Sequence, residues 1–539
     1  MITEAPPNII LIMGDDMGYS DLGCYGGEIR TPHLDALAAG GLRFTQFYNA
    51  ARCCPTRASL LTGLYPQQAG VGHMVDDRGT PAYAGDLSHR AVTIAEALKS
   101  AGYATYLSGK WHVTPYNPEG SDKTNWPRQR GFDRFFGMIS GAGSFYDPRS
   151  LALDNDFVAP RDGFYSTTNF TDYAVERIEQ HDTEDPFFMY VAYMAPHWPM
   201  HVPSEDAAKY KGYYDDGWDV MRASRWERMK EMGLASKAWE MTPRDPFVQP
   251  WSEDIPDKDW ELANMEVYAA MTTVMDHGIG RIVQSLKDHD MYDNTLILFL
   301  QDNGACAEEL DWVAPLPQDT PALGTDEVQT KMIPYKTRDG QQVKLMKDGW
   351  PGPSDGYTAY GLNWANASNT PFREYKHWVH EGGISTPLIA HWPAAIKDHG
   401  SFRSEPTHLI DIMATCLEVA SVAYPESYSG HDIIPLEGKS LVPVFDNQSL
   451  EREAIYWEHE GNRAVRMGDW KLVSKASKKD SYRWDEEEQL GLEHWELFDM
   501  DKDRTEMHDL AASHPDVVSK MADMWLSWAD RVGALPRPD

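Results

Sequence analysis

Three apolar runs in this chain stop abruptly at charged or hydrogen-bonding residues, and this repeated arrangement limits the fold more than any other feature. Asn8-Ile-Ile-Leu-Ile-Met13 runs into Gly14-Asp15-Asp16. Thr295-Leu-Ile-Leu-Phe-Leu300 runs into Gln301-Asp302-Asn303-Gly304. Phe187 to Met194 runs into Ala195-Pro-His197-Trp-Pro. A short run without polar alternation suits a strand buried on both faces, as in a parallel or mixed sheet. Such sheets bind ligands outside the carboxyl ends of their strands. A fourth strand, Tyr103 to Leu107, leads into Ser108-Gly-Lys110-Trp-His112 and puts two more polar groups at a strand end.

Helical patterns lie between these strands. Thr31 to Gly40 reads as a short helix, followed by a strand over Gly41 to Tyr48. Thr93-Ile-Ala-Glu96 is a capping box opening a helix that ends at Gly102. Residues 171–181, Glu261 to Leu286 and His408 to Ala420 keep helical spacing, and Thr386 to His391 is a further strand. Alternating helices and strands indicate an α/β class with a large mixed-sheet sandwich. Residues 205–260 and 306–370 show no clean period and read as insertions that shape a cleft. After about Val442 the pattern changes to short strands at 454–457, 464–467, 470–473 and 496–498, then an amphipathic helix over Ser513 to Val532. The expected organisation is a large domain over 1–442 and a smaller C-terminal domain over 443–539, an antiparallel sheet covered by one helix.

The net charge of −34 argues against nucleic acid or an anionic membrane as partner. An anionic substrate has to be drawn in by local cations against that field. No stretch is long enough to span a bilayer. The start, MITEAPPNIILIMGDD, lacks a basic region before its short apolar run, so it reads as a strand and not a signal peptide; the expected location is the cytoplasm unless a leader was trimmed. Five cysteines, at 24, 53, 54, 306 and 416, do not resemble a disulfide framework. The oligomeric state is not legible.

The stretch Cys53-Cys-Pro-Thr-Arg57-Ala-Ser-Leu-Leu-Thr-Gly63 carries the chemistry. Pro55 suits the first position of a helix and Gly63 its close. Cys53 then stands at a helix N-terminus, where free N–H groups favour an anion, and Arg57 adds a fixed cation one turn on. Taken alone, the stretch is also compatible with a buried structural cysteine pair. A cysteine phosphatase loop needs five residues between Cys and Arg, and here there are three. Asp15, Asp16, Asp302 and Asn303 are oxygen donors suited to Ca²⁺ or Mg²⁺, and unlike the Cys and His set of structural zinc.

Cys53-x-Pro55-x-Arg57, with Leu60 to Gly63 after it, resembles the signature of the type I sulfatases, members of the alkaline phosphatase superfamily. The resemblance extends to the two aspartates after the first strand, Asp302-Asn303, Lys110-x-His112, Pro-His197-x-Pro, Asn369-Thr-Pro-Phe-Arg, and Lys376 five residues before Glu381-Gly-Gly. It is nearest in look to bacterial arylsulfatases and covers nearly the whole chain. The resemblance implies that Cys53, and not Cys54, is oxidised to Cα-formylglycine by a maturation enzyme. It implies one Ca²⁺, with Mg²⁺ less favoured, held by Asp15, Asp16, Asp302 and Asn303 and completed by the oxygen derived from Cys53. The aldehyde hydrates to a diol, whose oxygen attacks sulfur with help from Arg57 and the metal. Lys110 and Lys376 hold the sulfate oxygens, His197 protonates the leaving oxygen, and His112 takes the proton whose loss expels sulfate. The implied substrate is a small-molecule or carbohydrate sulfate ester, aryl sulfates first. Two alternatives remain at this stage: a phosphodiester or phosphonate monoester hydrolase with the same nucleophile, and a non-catalytic calcium-binding protein.

Overall fold

The computed structural model describes residues 5–118, 120, 122–182, 184–476 and 491–538. Five parallel strands form the middle and one flank of an eleven-stranded sheet: Thr295–Gln301, Asn8–Gly14, Phe187–Ala192, Ala104–Lys110 and Arg134–Met138, side by side in that order. Strand Ser385–His391 runs antiparallel beside Thr295–Gln301, and Leu42–Tyr48 pairs with its other edge. The sheet is therefore mixed, as the sequence predicts.

Both faces of the sheet are covered, which explains why its central strands lack polar alternation. From the first strand, Ile10 and Ile12 point into a core shared with Met275, Ile279 and Ile282 of helix Lys258–Asp288. Ile9, Leu11 and Met13 point the other way, into a core with Leu60, Leu61, Leu98 and Met413. Register then places the functional ends together. Gly14 pairs with Gln301 and Met13 with Ala192, so Asp15 and Asp302 leave adjacent strands in step.

A second sheet, all antiparallel, contains Ile455–His459, Asn462–Met467, Trp470–Ser474 and Glu496–Asp499. Trp525 and Trp528 of helix Pro515–Val532 pack against it in the same apolar cluster as Val465 and Leu472. A small third cluster joins Ile455, Trp457 and Phe498 to Tyr48, Val379 and Ile384 of the large sheet's side. A buried ion cluster reinforces the joint, with Lys471 Nζ 2.9 Å from Glu381 Oε1 and 2.8 Å from Glu506 Oε1.

Three elements differ from the sequence reading. The helix at Cys53–Thr62 starts two residues before Pro55. Proline is tolerated there because the first four N–H groups of a helix have no partner within it. The helix read at 171–181 begins at Ser166, where Ser166, Thr167 and Phe170 are buried. A sixteen-residue helix, Gly217–Met232, occupies part of 205–260. Its buried residues are Gly217, Trp218, Met221, Arg222, Arg225, Trp226 and Met229, which is helical spacing, but two of the inward positions are arginines. Arg225 is paired with Asp21 at 2.6 Å and Glu28 at 2.7 Å, so a charge occupies a position where periodicity needs an apolar residue. Segment 306–370 is largely irregular, as expected, apart from helix Gly361–Ser368 and short strands.

Candidate active site

Cys53 is the first residue of its helix and is 3 % exposed. Gly63 closes the helix with φ +67, a left-handed conformation natural to glycine. Thr56, one turn in, donates from Oγ1 to the Asp302 carbonyl at 2.6 Å and accepts from the Ala50 N–H at 3.0 Å. The helix mouth is thus tied to the strand end that carries Asp302 and Asn303.

The acidic residues face one another. Asp15, Asp16 and Asp302 each offer a carboxylate oxygen, all within 4.8 Å of one another. The Asp16 N–H donates to Asp302 Oδ1 at 3.0 Å, and Asn303 Nδ2 donates to Asp16 Oδ1 at 2.7 Å. Three cations and a histidine surround them. Lys110 Nζ is 2.6 Å from Asp15 Oδ2, and Lys376 Nζ is 3.0 Å from Asp16 Oδ2. Arg57 Nη2 lies 3.6 Å from both Asp15 Oδ2 and Asp302 Oδ2. His197 Nε2 lies 3.3 Å from Asp16 Oδ2, while its Nδ1 meets the Trp198 carbonyl at 2.5 Å, leaving Nε2 as the nitrogen turned to the site.

Burial and the neighbouring Asp15 push the Asp302 carboxyl well above its usual range. Burial acts the same way on Asp15, but Lys110, the contact with Asp302 and Arg57 overcome it and hold Asp15 low. Asp15 Oδ1, Asp302 Oδ2 and Asn303 Oδ1 are buried and make no hydrogen bond. Buried polar atoms without hydrogen bonds are costly, and such oxygens on residues of one carboxylate cluster fit a hard divalent cation.

The Cys53 thiol is held well below its usual range by a hydrogen bond from Cys54, against burial, and by Lys110 and His112. The same field favours any anionic atom at this position. Burial drives His112 down to about 4, so its imidazole is neutral near pH 7. His112 itself has φ +55 and packs against Gly141, where a Cβ would lie 2.0 Å from its Cε1. Only glycine at 141 leaves room for that ring.

Cys53, Arg57, Lys110, His112, His197 and Lys376 therefore meet around Asp15, Asp16, Asp302 and Asn303. Cys53, His112, His197 and Lys376 line a cavity of about 1260 Å³. Its wall includes Trp198, Phe247, Trp312, Tyr375 and Trp378. Two contacts escaped the sequence reading. Cys54 Sγ lies 3.1 Å from His112 Nε2. Glu308 accepts from Trp198 Nε1 at 2.9 Å and pairs with Arg52 at 3.1 Å and Lys376 at 3.5 Å. Burial opposes its ionisation, but Lys376 and Arg52 hold it at about 2. The only sequence signal for Glu308 was its place just beyond the Asp302-Asn303-Gly304 strand end.

A model of the sulfatase family matches residues 7–422. The chain belongs to the sulfatase family. A second model, for the C-terminal region of N-sulphoglucosamine sulphohydrolase, matches residues 374–527. This sulfatase is 32% identical over 563 residues to an uncharacterized sulfatase of Schizosaccharomyces pombe, covering 99% of this chain and 95% of that one. It is 32% identical over 464 residues to an arylsulfatase of Klebsiella aerogenes, covering 83% and 94%. Among solved structures, Ps i-CgsB in complex with k-i-k-neocarrahexaose has a TM-score of 0.66 at 24% identity, covering 99% of this chain and 98% of that one. That likeness shows the shared fold, an α/β domain of the alkaline phosphatase-like kind with a smaller C-terminal antiparallel sheet and helix. The sulfatase is a sulfuric ester hydrolase, acting on sulfate esters.

Proposed function

We propose that this sulfatase hydrolyses aryl sulfates, using a formylglycine made from Cys53 and one Ca²⁺ held by Asp15, Asp16, Asp302 and Asn303. The observation that carries the reading is a single cavity in which Cys53, His112, His197 and Lys376 lie beside an aromatic wall of Trp198, Phe247, Trp312 and Trp378. Oxidation of Cys53 by a maturation enzyme, with loss of its sulfur, would leave an aldehyde; water adds to it, and an oxygen of the resulting diol is the nucleophile. The cation, when bound, supplies a Lewis acid beside it. Arg57, buried and charged, favours the ionised form of that oxygen. Lys110 and Lys376 bind the sulfate oxygens and stabilise the charge that builds on them. Glu308 keeps Lys376 aimed into the cavity. His197 holds a proton on Nε2 and delivers it to the departing oxygen. His112, neutral because it is buried, accepts the proton whose removal releases sulfate. Trp312 and Phe247, 58% and 60% exposed at the cavity mouth, offer ring faces to an aromatic leaving group.

The charged rim that includes Arg52, Arg149, Glu309 and Asp311 favours a second reading, a carbohydrate sulfate, since a hydroxyl-rich ligand needs such partners. The test compares kcat/KM for a nitrophenyl sulfate, a monosaccharide sulfate and an aryl phosphodiester, alongside the intact mass of the peptide containing Cys53. Faster turnover of the aryl sulfate with a converted Cys53 is expected. A preference for the sugar sulfate selects the second reading, and a preference for the phosphodiester overturns both.

A further inference from the structure

Where the small sheet meets the large one, three histidines and a glutamate converge outside the catalytic cluster. His459 ends strand Ile455–His459, and Glu460 forms the turn into Asn462–Met467. His377 stands between Lys376 and Trp378, and His73 precedes Met74; those three neighbours line the cavity. His377 Nδ1 lies 2.6 Å from Glu460 Oε2. His459 Nε2 lies 3.7 Å from Glu460 Oε1. His377, His459 and Glu460 each present one donor atom, all within 4.8 Å of one another. His73 Nε2 approaches Glu460 Oε1 at 2.7 Å, and its ring stacks on that of His459 with centroids 5.9 Å apart.

His459 is the informative member. It is 1% exposed, yet neither of its ring nitrogens makes a hydrogen bond. A buried imidazole with no hydrogen bond at either nitrogen departs from what buried polar groups almost always have. His377 and Glu460 also hold φ of +93 and +50, conformations that non-glycine residues adopt mainly where surrounding structure demands it.

We propose that His377, His459 and Glu460 form a second metal site, which takes a borderline divalent ion of the zinc class, with His73 orienting Glu460. Imidazole and carboxylate donors suit zinc, whereas the oxygen-only set at Asp15, Asp16, Asp302 and Asn303 suits calcium. Three protein donors leave a fourth position for water. His73 stands outside the donor set and contacts a ligand, the usual arrangement for a residue that aims a metal-bound group. The ion would bind the Lys376 segment, through His377, to the hairpin of the small sheet. Its role is to fix the position of Lys376 and not to take part in bond cleavage.

Cobalt tests this in the full-length enzyme. The protein is stripped with a chelator, resupplied with excess Ca²⁺, and titrated with Co²⁺. One equivalent should bind with visible ligand-field bands and no sulfur-to-cobalt charge-transfer band, and Zn²⁺ should displace it. His459→Ala should abolish the bands, and His73→Ala should weaken binding by about 10–100-fold. If His459→Ala does not fold, His377→Ala, on a different segment, serves in its place. Failure of the wild-type enzyme to bind Co²⁺ overturns the site and leaves Glu460 as a proton acceptor between two histidines. A charge-transfer band lost in Cys54→Ala would move the ion to the Cys53, Cys54 and His112 cluster. Unchanged bands in His459→Ala overturn the assignment as well.

Discussion

The floor of the site, beneath the cavity, is built mainly on residues that follow neighbouring strands in fixed register, whereas much of the cavity wall consists of residues from 205–260 and 306–370. Asp15 and Asp302 are set by a ladder in which Gly14 pairs with Gln301, and they are wholly buried. Phe247 and Trp312 come from irregular segments and are more than half exposed. A displaced floor residue would disturb the sheet, while a displaced wall residue would disturb little else. Chemistry and substrate choice are thus placed on parts of the chain with different freedom to vary.

The comparison breaks first at Cys53. Cys53→Ala should abolish turnover, whereas Cys54→Ala should keep most of it, despite the contact of Cys54 with His112. Equal loss in both folded variants would remove the assignment of Cys53. Next comes His197, whose role demands a dependence on the leaving group. A nitrophenolate departs with little protonation and an alkoxide departs poorly without it. His197→Ala should slow alkyl sulfate hydrolysis by about 10²–10⁴-fold and nitrophenyl sulfate far less. An unchanged slope of rate against leaving-group pKa, with chemistry rate-limiting, would show that His197 only positions the ester.

Chelation should lower both turnover and Tm, because the carboxylates at 15, 16 and 302 then repel one another. Ca²⁺ should restore most of both in the wild type. Restoration by Zn²⁺ but not Ca²⁺ would contradict the calcium assignment. At the wall, Trp312→Ala should raise KM for an aryl sulfate roughly tenfold, an effect of about 1.4 kcal/mol, and leave kcat within a factor of two or so. A matching fall in kcat would place Trp312 in the chemistry and erase the distinction between floor and wall.

A further effect concerns acid and bears on stability rather than turnover. Burial pushes His201 down to about 4 from 6.5, while its Nε2 meets the Gly356 carbonyl at 2.7 Å. Between these values the unfolded chain binds a proton that the folded one refuses. Stability is therefore intact above pH 6.5 and declines as pH falls toward 4, by up to about 3 kcal/mol for this residue. His201→Gln should flatten the decline of Tm with acid, and an unaltered profile would show that other groups govern it.

The floor was legible in the sequence because its strands are continuous apolar runs and its polar groups follow them at once. Thr295–Gln301 and Asp302-Asn303 needed no tertiary information. Lys376 was different. It precedes an antiparallel strand, so its arrival at the carboxyl ends of the parallel ones depends on a pairing that local sequence does not encode. Helix Gly217–Met232 stayed hidden because Arg222 and Arg225 occupy inward positions, and only their partners make that burial tolerable. Short strands such as Arg134–Met138 lacked the length to show a period. Glu308 and Cys54 act through neighbours distant in the chain, so their own surroundings gave no spacing to read.

Cys53 lies in the first turn of a helix, 3% exposed, at the bottom of a cavity. On the proposed mechanism, an enzyme that oxidises this side chain has to reach it before the helix and the cavity close around it. Conversion and folding are then competitors in time. A chain that folds first keeps a thiol where it needs an aldehyde, with its stability intact and its activity forfeited. The active fraction of a preparation becomes a record of its synthesis, set by how fast each chain was made and how much maturation enzyme was waiting.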